Sequence, residues 1–387
     1  MLTVETKFYR DTWAEINLDH ISHNVRETLK LLPEHTKLFA VVKANAYGHG
    51  DIQIAKTAVE AGAQGLAVAF FDEALSVKEA GLPVPLLVLG ASSPHTAKIA
   101  AEQQISLTVF QKEWLEKAEK HLEDGQVLRV HIKCDTGMGR LGVKTAAELN
   151  ELAEFIERSP KFFLEGVFTH FATADDLHTD YFEEQYQTFT KMIAALEIKP
   201  AFIHCANSAT TLRFQKAYFN AVRLGISMYG LSPSEDMKTE LPFPLKQAFS
   251  LHTRIVHIKK LNKGEKISYG ATYETQQEEW IATLPIGYAD GWLRKLQGQA
   301  VLVGGKKAPI VGRVCMDQCM IRLPEEMPIG TKVTLIGKQG EEEITMDDIA
   351  RKMETINYEV PCIVTARVPR VYKQNGEIVE IVNPLIK

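Results

Sequence analysis

Short apolar segments alternate with amphipathic segments from about residue 16 to about residue 230. Eight apolar segments of at most nine residues are typical of strands buried on both faces of a parallel sheet. These segments are LFAVVK (38–43), GLAVAF (65–70), PLLVLG (85–90), ISLTVF (105–110), VLRVHIKCD (127–135), FLEGVFTHF (163–171), AFIHCA (201–206) and NAVRLGI (220–226). Apolar residues at helical spacing lie between them, as at Leu149, Leu152 and Ile156, although residues 209–218 form the weakest such pattern. The repeat predicts a closed (β/α)8 TIM barrel, ahead of an open doubly wound sheet, because no GxGxxG motif follows the first strand.

The pattern changes after about residue 245, where short strand-like segments dominate. Gly304-Gly305 and Asn375-Gly376 are two-residue turn signals of β-hairpins, and one helical pattern at residues 346–355 interrupts the strands. We therefore expect two domains, a barrel over residues 16–247 and a C-terminal all-β domain over residues 248–387. An N-terminal strand within residues 1–15 is expected to join the second domain.

Composition and charge exclude several classes of function. With 44 Lys and Arg against 49 Asp and Glu, the net charge of −5 removes the electrostatic basis for binding nucleic acid. No apolar run approaches the roughly 18 residues of a membrane span, and the N-terminal segment lacks an apolar signal core. The odd count of five cysteines favours a reducing cytoplasm over a disulfide framework. On one strand, at about 3.3 Å per residue, Cys315 and Cys319 would lie too far apart to share a zinc ion, so we expect no metal site.

The C-terminal ends of barrel strands, where active sites of this fold form, carry several charged groups. Lys43 ends the first strand, and a buried lysine is costly unless it is paired or deprotonated, the state that Schiff-base chemistry needs. Position alone nevertheless favours a lysine that extends to the barrel rim. Arg223 on the eighth strand fits an anionic partner or a structural ion pair equally well. Ser208 with Gly225-Ile226 offers a weak phosphate-binding pattern beside the last two strands.

The fifth strand predicts a polar face inside the barrel. Strand alternation places Arg129, His131, Lys133 and Asp135 on one side of VLRVHIKCD and apolar residues on the other. Lys133 inside the barrel must then be paired or chemically modified. The residues alone favour an ordinary salt bridge to an acid such as Asp135 or Glu165.

The motifs as a set resemble the alanine racemases, fold-type-III pyridoxal-phosphate enzymes that combine a barrel with a C-terminal β domain. The lysine motif AVVKANAYGHG (40–50) carries the resemblance most strongly, and it reverses the preference for a rim lysine at position 43. Further similar segments follow in the family's order over nearly the whole chain. They are KCDTGMGRLGV (133–143), THFATAD (169–175), HCANSAT (204–210), VRLGISMYG (222–230), ISYGATY (267–273), IGYADGW (286–292), GRVCMDQCM (312–320) and INYEVPC (356–362).

The resemblance implies a role for each matching residue. Lys43 would bind pyridoxal 5'-phosphate as an internal aldimine, and Lys43 and Tyr269 would be the two acid–base groups that move the proton on opposite faces. The remaining implied cofactor-binding residues are Tyr47, Ser208, Gly225, Ile226 and Tyr358 for the phosphate, Arg223 with His170 for the pyridine nitrogen, and Arg140 for the phenolic oxygen. Substrate binding would fall to Arg140, Met316, Asp317 and Tyr288, and Lys133 aligns with a lysine that is carbamylated in several members. Tyr269 would come from the partner subunit, so the resemblance implies a homodimer with a shared active site.

The resemblance implies interconversion of L-alanine and D-alanine, which supplies D-alanine for peptidoglycan in a bacterial cytoplasm. The nearest alternative is a serine or broad-specificity amino-acid racemase, since a hydroxymethyl group is only one atom larger than a methyl group. A non-catalytic pyridoxal-phosphate carrier on the same barrel is disfavoured by the additional β domain. A decarboxylase of the same architecture is disfavoured because a glycine-rich phosphate loop and a catalytic cysteine motif are both missing.

Overall fold

The computed structural model describes residues 8–386, which divide into two compact units. The barrel unit comprises His20–Ala46 and Gly50–Lys246. The sheet unit comprises, within the described residues, the chain up to Asp19, the short segment Tyr47–His49 and the chain from Gln247 onward. No helix in this described part of the chain is both long enough and apolar enough to cross a membrane.

Strand β1 (Thr12–Asn17) belongs to the sheet unit, and the next eight strands form a closed parallel barrel. Each barrel strand pairs with the next, and the last pairs with the first, from Lys37 opposite Ala221 to Ala40 opposite Leu224. The strands are β2 (Lys37–Val41), β3 (Gly65–Val68), β4 (Leu86–Val88), β5 (Ile105–Val109), β6 (Leu128–Lys133), β7 (Phe162–Phe168), β8 (Phe202–His204) and β9 (Ala221–Leu224). Most of their residues are buried because both faces of each strand are covered. The (β/α)8 barrel predicted from the apolar segments is therefore confirmed.

Helices alternate with the barrel strands. Ala146–Arg158 shows how the sequence specifies one, because the Thr145 hydroxyl accepts a hydrogen bond from the Glu148 amide at 3.2 Å and caps the first turn. Its buried residues Leu149, Leu152 and Ile156 recur at helical spacing. The others are Leu18–Leu31, Asp51–Glu60, Phe71–Lys78, Ala97–Glu102, Lys112–Glu119, Asp180–Ala194 and Ser208–Arg213. The weak pattern at 209–218 proves to be this last short helix followed by a 3-10 turn, Gln215–Ala217.

The sheet unit contains one eleven-stranded sheet and a two-stranded hairpin. β1 joins the large sheet, pairing antiparallel with β10 and parallel with β20. The strands are β10 (Phe249–Arg254), β11 (His257–Leu261), β12 (Lys266–Ile267), β13 (Tyr273–Glu274), β14 (Glu279–Leu284), β15 (Ala300–Val303), β16 (Lys306–Val311), β17 (Cys319–Leu323), β18 (Lys332–Gln339), β19 (Glu342–Ile344), β20 (Arg370–Gln374) and β21 (Glu377–Val382). Two helices, Met346–Met353 and Glu359–Cys362, accompany them. A mostly-sheet C-terminal unit was expected and is confirmed, whereas residues 1–7 of the expected N-terminal strand lie outside the described residues.

Both predicted hairpin turns form. Gly304-Gly305 connects β15 to β16, and Asn375-Gly376 connects β20 to β21. The backbone φ angles are 56° and 75° in the first turn, and 52° and 80° in the second. Two successive positive φ angles match the right-handed twist of the flanking strands, which is why glycine and asparagine are suited to these positions.

Candidate active site

The chain directly after Lys43 adopts a left-handed helical turn. Ala44, Asn45, Ala46 and Tyr47 have φ angles of 53°, 53°, 50° and 51°. Each such non-glycine residue costs roughly 1–2 kcal/mol, with asparagine the more tolerant type. The turn is held by Ala46 N–H donating to Val42 O at 2.9 Å and by Ala44 N–H donating to a Glu73 carboxylate oxygen at 2.7 Å. Strain of this kind is typical of functional sites, and here it immediately follows the half-buried Lys43.

Arg223 lies buried inside the barrel with its guanidinium fixed by four acceptors. Nη1 donates to Nδ1 of His204 at 2.6 Å, and Nη2 lies within donating distance of Nδ1 of His170 at 3.2 Å. Nη2 also donates to the carbonyl oxygens of Thr169 at 2.9 Å and Cys205 at 3.2 Å. Burial lowers the pKa of Arg223 to about 10, which leaves the guanidinium charged at neutral pH.

The two histidines beside Arg223 are neutral. Burial first, and then the positive charge of Arg223, hold the pKa of both His170 and His204 well below the ordinary histidine value. A neutral imidazole retains one nitrogen lone pair, so each ring can accept a hydrogen bond from Arg223. The cluster therefore presents one charged, oriented donor group at the C-terminal ends of β7, β8 and β9.

Lys133 does not form the salt bridge that the residues alone favoured. Its side chain is only 4% exposed, and within residues 8–386 its Nζ has no hydrogen-bond partner and no ion pair. Asp135 instead accepts backbone hydrogen bonds from Gly137 and Gly139, and Glu165 is bound by His131 at 3.1 Å. Nζ lies 4.6 Å from the ring centre of Phe168. Burial first, and then the charge of Arg223, hold the pKa of Lys133 well below its ordinary value, which favours the neutral amine.

Ser208, Gly225 and Ser227 form a cluster of donors suited to an anion. The Ser208 hydroxyl accepts from the amide of Gly225 at 2.9 Å and from that of Ser227 at 3.4 Å, so its own proton can point outward. Ile226 begins a 3-10 turn, Ile226–Tyr229, between these two amides. The Ser227 hydroxyl is buried and has no hydrogen-bond partner in the described part of the chain. Sequence reasoning missed Ser227, and only its place after the Gly225-Ile226 pair could have indicated it.

Tyr47 and Tyr358 come together in the sheet unit. Their ring centres lie 6.3 Å apart with an angle of 48° between the planes. Burial raises the pKa of Tyr47, so its phenol remains a proton donor. The backbone after Tyr47 is held by Arg370 Nε donating to Gly48 O at 3.1 Å and by the Tyr372 hydroxyl donating to His49 O at 2.9 Å.

Tyr269 projects from a strained loop of the sheet unit. Ser268, Gly270 and Ala271 have φ angles of 67°, 72° and 48°, and the Tyr269 side chain is 71% exposed. The Ser268 hydroxyl donates to Arg313 O at 2.6 Å and anchors the loop. A Cβ atom at Gly270 would lie 2.9 Å from Nη1 of Arg313, so the loop lies close against this side chain.

Tyr288 and Met316 are also exposed and lie on neighbouring loops. The Tyr288 amide donates to Cys315 O and the Ala289 amide donates to Met316 O, each at 3.0 Å. Asp317 is engaged in an ion pair with Arg367 at 2.7 Å. The Ser268 hydroxyl is hydrogen-bonded to Arg313 O, so the Tyr269 loop lies beside the segment that contains Met316 and Asp317. The residues of the sheet unit that are expected to bind substrate, Tyr288, Met316 and Asp317, therefore lie on one surface with the Tyr269 loop.

Cys315 and Cys319 do not lie on one strand as assumed. Cys319 begins β17, whereas the Cys315 amide donates to Gln318 O at 2.9 Å and closes a turn before it. The separation inferred from an extended strand is therefore wrong. Within the described residues no group of three or more His, Cys, Asp or Glu side chains is arranged to hold a metal ion.

The exposed Arg140 lies in the loop after β6, and the barrel unit thus carries Lys43, Lys133, Arg140, Arg223 and the Ser208 cluster at strand ends. A closed (β/α)8 barrel with cationic groups and an anion cradle at the strand ends defines an enzyme that acts on small anionic molecules. Residues 16–233 match the alanine racemase N-terminal domain and residues 248–372 match the alanine racemase C-terminal domain. The chain belongs to the alanine racemase family.

Known proteins resemble this chain over nearly its full length. It is 60% identical over 377 residues to an alanine racemase of Geobacillus kaustophilus (strain HTA426), covering 97% of this chain and 98% of that protein. It is 54% identical over 380 residues to alanine racemase 1 of Bacillus subtilis (strain 168), covering 98% and 97%. A crystal structure of alanine racemase from Bacillus anthracis with bound L-Ala-P matches with a TM-score of 0.95 at 53% identity, covering 98% of this chain and 99% of that one. The family resemblance inferred from the motifs is thereby confirmed.

Proposed function

We propose that this protein interconverts L-alanine and D-alanine with pyridoxal 5'-phosphate as its cofactor, and so supplies D-alanine for peptidoglycan. The observation that carries the proposal is the 60% identity to a named alanine racemase over 97% of the chain. The Bacillus anthracis relative is described with bound L-Ala-P, which supports alanine as the substrate. We also propose a cytoplasmic location, which the odd count of five cysteines favours.

The donors of the barrel unit fit the cofactor's chemistry. The Ser208 hydroxyl and the Ser227 hydroxyl, which has no hydrogen-bond partner among residues 8–386, suit a phosphate. Gly225, Ile226, Tyr47 and Tyr358 are proposed to complete its binding. Lys43 is the amine proposed to bind the cofactor's carbonyl carbon. Arg140 is proposed to bind the phenolic oxygen as well as the substrate carboxylate, as bidentate guanidinium groups do.

Arg223 is proposed to donate a hydrogen bond to the pyridine nitrogen, supported by His170. Bound pyridoxal phosphate supplies a conjugated electron sink for the negative charge that develops when the amino-acid Cα loses its proton. Arg223 keeps its own proton, because even after burial its pKa is about 10. An unprotonated pyridine nitrogen is the weaker electron sink, which limits decarboxylation and transamination and favours prompt return of the proton to Cα.

Lys43 and Tyr269 are proposed as the two acid–base groups. Racemisation removes the Cα proton from one face and returns a proton to the other, so one fixed group is poorly placed for both steps. Each group contributes roughly 10²–10⁴-fold. Tyr269 is proposed to act in the site of a partner subunit, which makes the homodimer the active species. Its 71% exposure on a strained, anchored loop supports this assignment.

The remaining substrate contacts are proposed on the sheet unit. The Met316 backbone amide is proposed to help Arg140 bind the carboxylate, and Asp317, held by Arg367, is proposed to order that segment. Tyr288 and Tyr358 are proposed to limit the side-chain pocket to about the size of a methyl group.

A racemisation assay over alanine, serine and a few larger amino acids tests the substrate assignment. We expect alanine to have the highest kcat/KM, with serine lower by roughly 10–200-fold, the range that one additional small group produces in a tight pocket. Circular dichroism of the amino acid follows both directions of the reaction. Equal rates with serine would indicate a broad-specificity racemase, and binding of the cofactor without turnover of any amino acid would indicate a carrier.

Lys133 is proposed to be carbamylated. In its deprotonated form, which the lowered pKa favours, Nζ can attack CO2, forming an N–C bond and releasing a proton. The resulting anion would lie near Arg140 and Arg223, whose charges act on this group. Protein labelled with 13C-bicarbonate is expected to show a carbamate carbonyl resonance that is lost in Lys133→Ala. Lys161→Ala is the matched control, because Lys161 Nζ already donates to Leu122 O at 2.6 Å. A wild-type spectrum without that resonance would refute the proposal.

A further inference from the structure

A chain of buried hydrogen bonds continues inward from Arg223 through the barrel. Arg223 Nη1 donates to Nδ1 of His204 at 2.6 Å, and Nε2 of His204 lies 3.1 Å from Nδ1 of His131. Nε2 of His131 lies 3.1 Å from a carboxylate oxygen of Glu165. The four residues come from β9, β8, β6 and β7, and all four are buried. Glu165 also accepts a hydrogen bond from Ser106 and lies 3.6 Å from Arg129.

Arg223 and Glu165, at the two ends of this chain of hydrogen bonds, determine which ring nitrogens of His204 and His131 carry a proton. Arginine only donates, so Nδ1 of His204 must carry a lone pair and its proton must be on Nε2. That Nε2–H then donates to Nδ1 of His131, whose proton must therefore be on Nε2, pointing at Glu165. A carboxylate only accepts, so the chain is consistent from Arg223 to Glu165. A doubly protonated His131 would donate from Nδ1 and force His204 to place a proton against Arg223.

The negative charge of Glu165 supports hydrogen bonds that run from Arg223, as the first donor, to Glu165, as the last acceptor. Burial raises the pKa of Glu165, but the hydrogen bonds from His131 and Ser106 and the charge of Arg129 lower it, and the pKa lies below its ordinary value. Glu165 is therefore an anion at neutral pH. The pKa of His204 is held well below its ordinary value by burial and then by Arg223, which keeps the ring neutral.

Packing leaves the two rings little freedom to reorient. His204 stacks on Phe168 with ring centres 4.7 Å apart and planes 7° apart, and His131 stacks on Phe202 at 6.0 Å and 18°. A Cβ atom at Gly166 would lie 2.3 Å from Nδ1 of His131, so the ring occupies the space that this glycine leaves. The pairing of β6 with β7 also shifts register between Val130 and His131, and such irregularities redirect side chains.

We infer that Glu165 and His131 are positioning residues: they supply the acceptor for His204 Nε2–H, reinforce the tautomer that the contact with Arg223 requires, and so hold the orientation of the Arg223 guanidinium. They act from inside the barrel and need not contact substrate or cofactor. The consequence for catalysis rests on the proposed function, in which Arg223 faces the pyridine nitrogen. The tautomer itself does not rest on that function, because Arg223 and Glu165 determine it within this chain.

The test replaces His131 and Glu165 together. The double variant His131→Phe/Glu165→Leu removes the acceptor of His204 and the carboxylate at once, and avoids leaving a buried charge unpaired. Glu165→Gln is the conservative variant, since its amide oxygen can still accept from His131. Thr108→Val is the matched control, a buried hydroxyl on β5 that donates to Val88 O at 2.7 Å outside this chain of hydrogen bonds.

The first measurement is 15N NMR of the histidine rings in the full-length holoenzyme, with His204 and His131 assigned from single variants. We expect the Nε2–H tautomer for both in the wild type, in Thr108→Val and in Glu165→Gln. In the double variant His204 Nε2–H has lost its acceptor, and Arg223 has other acceptors to which it can turn, so we expect a mixture of tautomers at His204. An Nδ1–H tautomer or an imidazolium at His204 in the wild type would overturn the inference, whether or not the protein racemises alanine. The wild-type spectrum alone tests the tautomer of His204, so the inference can be overturned even if the double variant does not fold.

The second measurement separates kcat from KM for alanine. We expect kcat of the double variant to fall by up to about 10²-fold, as a misplacement of about 1 Å can cause, with KM nearly unchanged. Glu165→Gln is expected to retain most of kcat. A double variant with wild-type kcat and an unchanged His204 spectrum would overturn the inference, whereas a wild type without racemase activity would contradict only the proposed function.

Discussion

Replacement of Lys43 by alanine is expected to lower kcat for racemisation in both directions by about 10⁴-fold, the upper end of what one acid–base group contributes. In the proposed assignment, the variant loses both the amine that anchors the cofactor and one of the two groups that move the Cα proton. The purified variant is also expected to lose the visible absorption band of the lysine-bound cofactor. Chiral analysis of the product and an absorption spectrum measure the two effects separately.

Lys37→Ala is the matched control for Lys43→Ala. Lys37 begins β2, the strand that leads to Lys43, and its side chain is exposed. We expect its replacement to leave both the rate and the spectrum unchanged. Racemisation by Lys43→Ala at the parent rate would rule out the assignment of Lys43.

Replacement of Tyr269 by phenylalanine is expected to lower kcat by roughly 10²–10⁴-fold while the visible cofactor band persists. Only the hydroxyl is removed, so the loop and its anchoring hydrogen bond from Ser268 to Arg313 are retained. Tyr273→Phe is the control, because Tyr273 lies on β13 of the same hairpin and its hydroxyl donates to Glu279 at 2.6 Å. The same loss in both variants would indicate a damaged hairpin and count against a catalytic Tyr269.

A mixture of the two inactive variants tests whether Tyr269 acts across the proposed homodimer. In a heterodimer of Lys43→Ala and Tyr269→Phe, a shared arrangement leaves one site with both groups intact and one with neither. Random exchange of subunits then restores about a quarter of the parent activity, because half of the dimers are mixed and each has one intact site. An arrangement within one subunit restores nothing, so a mixture that stays inactive after subunit exchange would falsify the shared site.

The barrel was predictable because its strands are buried on both faces. Segments such as Leu86–Val88 are then apolar throughout, and this produces a signal that differs from the alternation of the sheet unit. The motifs likewise made it possible to propose the roles of Lys43 and Tyr269 from the sequence, because a match that extends over the whole chain is more specific than a match of one motif.

Pairing between charged side chains was less predictable, because it depends on strand register. Lys133 and Glu165 lie on neighbouring strands, and the sequence alone favoured a pair between Lys133 and a nearby acid. The register shift between β6 and β7 instead accompanies a contact of Glu165 with His131, and the amine of Lys133 lies against the ring of Phe168. A shift of one residue in the pairing of two strands changes which side chains contact each other. The sequence of one strand alone does not indicate this shift.

The left-handed turn at Ala44–Tyr47 had no local signal. Alanine strongly favours the right-handed helix, so the residue types point away from the conformation observed. Tertiary contacts, including the hydrogen bond from the Ala44 amide to Glu73, select it instead. The turn before Cys319 was missed for a related reason, since the cysteine spacing was interpreted as one continuous strand.

The pairing of β1 sets the order in which this chain can fold during synthesis. The barrel's last strand, β9, ends at Leu224, so all eight of its strands leave the ribosome well before the chain is complete. β1 leaves first, but its parallel partner β20 begins only at Arg370. At about 5–20 residues per second, the first strand waits on the order of tens of seconds for that partner. β10 can cover one edge of β1 earlier, but the other edge stays unpaired until β20 is made, and an unpaired strand edge is a template for wrong pairing in the nascent chain.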